Sequence, residues 1–174
     1  QRTFNAFLDT YSDVDLYALT GCPLMSPYLL ARLFYFSTKE KEVLQKAKYF
    51  TDSKAFLFEW LTGEFATDLS TAAATQIYNI HQETWDNFLL SRIGLSATQF
   101  PEIKDGTNYL SSLKENLRQE LGLKQGVKVL LGVYDGAALA VGLGALKPGV
   151  GIINVGTSAM LRVPGTIPAF DKSD

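Results

Sequence analysis

The sequence predicts an α/β fold, and three features of its 174 residues lead there. Helix punctuation fills the first two thirds of the chain. A nearly uncharged, β-rich run stands at Val127–Val133, and two short apolar runs flank Gly156-Thr157-Ser158 near the end. Hydrophobic residues make up 47% of the chain and charged residues 20%, enough apolar material for a core and too much for general disorder. The length suits one domain of ordinary size.

Taken in order, the elements follow local signals. Gln1–Thr20 mixes polar and aromatic residues without a continuous apolar stretch, so it does not read as a secretory leader. Thr20-Gly21-Cys22-Pro23 reads as a turn. Ser26 followed by Pro27 is an N-cap with proline at the first helical position, and Tyr28, Leu29, Leu30, Leu33 and Phe34 share one face of the helix it opens. Lys39–Ala47 reads as a solvated amphipathic helix. Asp52 opens a third helix carrying Phe56, Leu57, Trp60 and Leu61, closed by Gly63, with Trp60 and Trp85 expected in the core. Periodicity leaves Leu69–Ile80 undecided. Thr84–Ile93 reads as a helix ending at Gly94, and Ser96 with Gln99 has capping-box spacing. Ser111 or Ser112 is expected to cap a helix with Leu113, Leu117 and Leu121, stopped by Gly122. Val127–Val133 suits a strand buried on both faces, and Gly136–Leu146 a buried Ala/Leu/Gly helix broken by Lys147-Pro148-Gly149. Gly151–Val155 and Ala159–Val163 then form a hairpin around Gly156-Thr157-Ser158.

Charge and composition exclude several function classes. Lys plus Arg is 16 against 18 Asp plus Glu, a net charge of -2 with no clustered basic excess, which argues against a nucleic-acid partner. Val129–Leu146 carries one ionised side chain, Asp135, whose burial in lipid would be costly, so no membrane span is expected. The lone Cys22 allows neither an intrachain disulfide nor a CxxC zinc site, and reads as a small buried hydrophobe. The lone His81 reads as a packed or hydrogen-bonded residue, without partners for metal binding. A cytoplasmic protein is expected.

Three familiar signatures are nearly present and fail. Gly144–Gly149 has P-loop glycine spacing, but Val150 stands where a lysine is required. Gly142-Leu143-Gly144 begins like a dinucleotide loop, but Lys147 occupies the last glycine position. Gly156-Thr157-Ser158-Ala159-Met160 resembles a nucleophile elbow with Met160 in place of its second glycine. What remains is Asp135, placed between a strand and a helix where open α/β sheets bind ligands. A carboxylate there can accept a hydroxyl proton during phosphoryl transfer, and a Gly-Thr turn can offer amides to phosphate oxygens. On residues alone both readings of Asp135 stand, a base or simply the cap of the helix that follows.

A series of short motifs runs along nearly the whole chain. It begins with Thr20-Gly21-Cys22-Pro23 and Pro27-Tyr28, then Leu61-Thr62-Gly63-Glu64 with Thr67-Asp68 and Ser70. Asn79-Ile80-His81 with Trp85-Asp86, and Gly94-Leu95 with Phe100-Pro101-Glu102, follow them. Gly132-Val133-Tyr134-Asp135-Gly136-Ala137-Ala138 and Gly156-Thr157-Ser158 complete the set. In order and spacing these motifs resemble those of the FGGY family of carbohydrate kinases, most of all its gluconokinase branch.

The resemblance implies part of a two-lobed actin/hexokinase-like (ribonuclease H-like) fold. Residues 1–146 would be the C-terminal portion of the first lobe, and residues 147–174 the opening hairpin of the second. Asp135 would be the general base toward a sugar or sugar-acid hydroxyl attacking the γ-phosphate of ATP, with Mg2+ on the phosphates. Gly156, Thr157 and Ser158 would form a phosphate-binding turn. Tyr28 falls where glycerol kinases place a substrate-contacting tyrosine, and Gly136 where related kinases carry Asn or Gln against the sugar. Family members are considerably longer, with a first phosphate turn before Gln1 and an adenosine motif after Asp174, so this stretch alone is expected to be inactive. ATP and a small sugar or sugar acid would be its partners, and a homodimer remains open. The alternative is a non-catalytic regulator of the same fold that binds a sugar or a partner. A stand-alone interaction domain is a third reading.

Overall fold

A computed structural model describes residues 2–157 and 159–167. The chain divides into two compact units, one ending at Gly132 and one beginning at Val133.

The first unit is built of short helices and small two-stranded β-ladders. Helix α1 (Arg2–Thr10) is followed by α2 (Leu16–Thr20), which Asp15 caps by accepting from Ala18 N at 2.9 Å and Gly21 ends in the left-handed conformation. Helix α3 (Leu29–Lys39) starts two residues later than Ser26-Pro27 suggests. Tyr28 is its extended N-cap and its side chain does not cap the helix, and the Leu30 amide in the first turn is met by the Thr75 carbonyl at 3.4 Å. A break at Glu40 separates α3 from α4 (Lys41–Lys46). Helix α5 (Ser53–Thr62) is bounded as the sequence predicts, by Asp52 and by Gly63 at φ 87°.

Asp52 does more than cap. One carboxylate oxygen accepts from Lys54 N (2.8 Å) and Ala55 N (3.0 Å), and the other from the Thr67 hydroxyl at 3.1 Å. Asp52→Ala should therefore destabilise the unit by about 2 kcal/mol, the upper end for a lost cap, because buried Thr67 also loses its acceptor. A shift in the urea midpoint at unchanged slope measures it.

Strand β1 (Ala66–Asp68) leads into α6 (Leu69–Ala73), which resolves the segment that periodicity left open. Strands β2 (Tyr78–Asn79) and β3 (Thr84–Trp85) pair antiparallel, so the predicted Thr84–Ile93 helix gives its first residues to a ladder. Asp86 then caps α7 (Asn87–Ser91) through Leu89 N at 2.9 Å while accepting from Asn79 Nδ2 at 2.9 Å. The Ser96–Gln99 capping box is present on a single 3-10 turn. Strand β4 (Glu102–Lys104) runs parallel to β1, and β5 (Leu110–Ser112) antiparallel to β6 (Lys128–Leu130), with α8 (Glu115–Glu120) between them. Ser111 and Ser112 thus serve the ladder rather than a helix cap. Ser111 also donates to Glu64 at 2.5 Å.

The main core gathers Phe7, Leu30, Phe34, Ile77, Leu89 and Leu90, with the Trp85 ring tilted at 42° against Phe100, centroids 5.4 Å apart, and donating to Pro101 O. Trp60, expected inside, is 48% exposed, because α5 turns Ala55 and Phe58 inward instead. Cys22 is buried as expected; its thiol donates to Ala73 O at 3.2 Å, and burial pushes its pKa up.

The second unit holds α9 (Asp135–Gly142) and the hairpin of β7 (Ile152–Val155) and β8 (Ala159–Arg162), with register Ile152↔Arg162 to Val155↔Ala159. Two sequence expectations fail nearby. β6 is three residues long with only Val129 turned inward, since it pairs on one edge and alternates faces. Helix α9 is largely exposed at Val141, and a two-stranded hairpin offers too little surface to cover an apolar helix. Among the described residues no helix is long and apolar enough to cross a membrane.

Candidate functional site

Asp135 opens α9. The chain reaches it through Gly132 at φ 75°, then Val133 and an extended Tyr134 in the N-cap position. Asp135 is the first helical residue rather than the cap, and a carboxylate in the first turn is favoured by the helix dipole. Its Oδ1 accepts from its neighbour, Gly136 N, at 2.6 Å, and the side chain is exposed.

Gly136 is buried, and the space a side chain would take there is already filled. A Cβ at Gly136 would lie 2.8 Å from Arg162 Nη2, 3.2 Å from Arg162 Cζ and 2.8 Å from Tyr134 Cε1. The guanidinium of β8 thus packs over the start of α9. Gly156 and Thr157 form the exposed turn at the opposite end of the hairpin, and nothing lies within 4 Å of a Cβ built on Gly156. Ser158 lies outside the described residues.

Upstream of Asp135 a polar network holds Gly132, and sequence reasoning passed over most of it. Asp68, the N-cap of α6, is 1% exposed and accepts from Ser70 N (2.8 Å), Thr71 N (3.2 Å), Thr71 Oγ1 (2.5 Å) and the Ser70 hydroxyl. It also pairs with Lys54, whose ammonium reaches Gly132 O at 3.3 Å. Burial pulls the Lys54 pKa down, opposed by the nearby Asp52 carboxylate. Gly132 N in turn donates to Gly106 O at 3.0 Å. The signal for Asp68 was legible as an acid two residues before Ser70, at the head of a segment rich in Ser, Thr and Ala. Nothing local pointed from Lys54 to Gly132, 78 residues away.

Tyr28 is half-buried in the first unit, and its hydroxyl interacts with the Cys22 thiol. His81 Nε2 lies 2.9 Å from Ala18 O, and Asn79 accepts from the His81 amide, a hydrogen-bonded role. Among the described residues no cluster of three metal-ligating side chains exists.

Residues 5–142 match the FGGY family of carbohydrate kinases, N-terminal domain. That range includes Asp135 and Gly136 and stops short of the β7–β8 turn. The chain is 29% identical over 134 residues to the xylulose kinase of Lactococcus lactis, covering 77% of this chain and 27% of that protein. It is 25% identical over 158 residues to the gluconokinase of Bacillus subtilis, covering 91% and 31%. The crystal structures of a ligand-bound xylulose kinase and of a gluconate kinase, both from Lactobacillus acidophilus, each superpose with a TM-score of 0.84 at 27% identity, covering 92% of this chain and 34% of theirs. The chain thus spans under a third of the length of the curated relatives it matches.

Proposed function

The chain belongs to the FGGY family of carbohydrate kinases, and from that membership we propose that it serves transfer of the γ-phosphoryl group of ATP to a hydroxyl of a sugar or sugar acid of the gluconate kind. Its α/β fold is the actin/hexokinase-like one of its structural neighbours. The observation that carries the reading is Asp135, an exposed carboxylate at the first residue of α9, inside the family match.

The acceptor hydroxyl attacks the γ-phosphorus, its proton passes to Asp135 Oδ2, and ADP leaves with the electrons of the broken P–O bond. The bond between Oδ1 and the Gly136 amide holds the carboxylate while this happens. Gly156 and Thr157 offer an open turn for phosphate oxygens. Mg2+ takes few protein ligands when phosphates supply the rest, and none of this chain's residues is assigned to it. When bound, the ion neutralises charge developing on the phosphates. Tyr28 is assigned to the substrate side by the family position alone. Residues 1–146 are assigned to the first lobe and 147–174 to the second, with activity expected of the two lobes together.

The test is sugar-dependent ADP formation by the product of the complete reading frame that contains this sequence, with gluconate, xylulose and glycerol in parallel. Turnover with one of them supports the reading, and turnover with none overturns it.

A further inference from the structure

We infer that Arg162 is a specificity-determining residue that binds the carboxylate of an acidic sugar, an inference that rests on the kinase reading above. Three observations meet at this side chain. Nη1 of Arg162 is buried and has no hydrogen-bond partner among the described residues. The guanidinium stands over Gly136, so close that even a methyl group there would collide with Nη2 at 2.8 Å. Gly136 follows directly on Asp135, whose carboxylate is the proposed base.

A guanidinium stays charged at every working pH, and an orphaned buried N–H of a cation is costly, so the site is built for an oxyanion. The planar fork suits a carboxylate or a phosphate. Position separates the two. Arg162 pairs with Ile152 at the open end of the hairpin, three residues along β8 from Ala159, which pairs with Val155 beside the turn, or about 10 Å of extended strand. The proposed phosphate turn lies at one end and the guanidinium at the other, beside the residue that handles the acceptor. The carboxylate therefore belongs to the acceptor sugar. In this reading the missing side chain of Gly136 makes room for Arg162, which replaces a neutral hydrogen-bonding group with a charged one and selects sugar acids over polyols and ketoses.

The experiment uses the complete reading-frame product and measures kcat/KM for gluconate and for glucitol, its uncharged counterpart, in wild type and Arg162→Gln. The gluconate-to-glucitol ratio should fall about thirtyfold, as expected for loss of a charge-assisted pair, while KM for ATP stays put. Gly136→Ala, which displaces the guanidinium without removing it, should lower the same ratio and covers the case in which Arg162→Gln fails to fold. Equal losses on both sugars, or a rise in KM for ATP, would overturn the assignment, the latter by placing Arg162 on the nucleotide phosphates. Equilibrium dialysis of labelled gluconate runs beside the kinetics. If wild type binds gluconate and Arg162→Gln does not, yet no ADP forms, the kinase reading fails and the carboxylate site stands. No gluconate binding to wild type sinks the inference itself.

Discussion

Replacing Asp135 with Asn should lower kcat by about a thousandfold and leave KM for the sugar nearly unchanged. The substitution keeps shape and size, and the amide oxygen of Asn can still accept from Gly136 N, the bond that holds Asp135 now. What it removes is the ability to take a proton from the attacking hydroxyl. A side chain that served only to favour the helix N-terminus would cost stability and little turnover. Sugar-dependent ADP formation, set beside the thermal midpoint of the variant, separates the two. If turnover survives while the midpoint drops, Asp135 is a helix-terminus residue and the base lies elsewhere.

Gly106→Ala carries the largest expected stability change. A Cβ there would come 2.0 Å from Gly132 O, 2.9 Å from Gly132 C and 2.7 Å from Asp68 Cβ. Two of the three obstacles are main chain, and none is the free end of a flexible side chain. The main chain must move apart where Gly132 N bonds Gly106 O, and the expected cost is about 3 kcal/mol or more. Gly94→Ala is the control. Gly94 sits at φ 74° with nothing within 4 Å of a Cβ, so conformational strain alone applies and about 1 kcal/mol is expected. Urea midpoints of the two variants should differ accordingly, and equal values would refute the close approach.

Where side-chain chemistry acts on its own backbone, the sequence was legible. Asp52 and Gly63 bound α5 because a cap and a left-handed stop are decided within a few residues. The Ser96–Gln99 box and the β7–β8 hairpin are local in the same way. Ser26-Pro27 and Ser111-Ser112 misled because their roles were settled by distant chain: Thr75 O supplies the acceptor near the start of α3, and β6 claims Ser111 for a ladder. The burial of Val127–Val133 was overdrawn because apolar composition does not say how many faces find cover. In the site, Asp135 stood out as the one acid in an apolar run, whereas Arg162, the sole charged residue between Lys147 and Asp171, matters through a packing contact with Gly136 that no motif encodes.

The solitary thiol of Cys22 has a use of its own. It lies under the surface at 5% exposure, donates to Ala73 O, and is held in its unreactive protonated form by burial. An alkylating reagent must wait for the surrounding core to open, so its labelling rate reads the opening frequency of the first unit directly. With one cysteine in these 174 residues, every labelled molecule reports the same event, and slow maleimide uptake that accelerates in Gly106→Ala would register the loosening without an introduced cysteine.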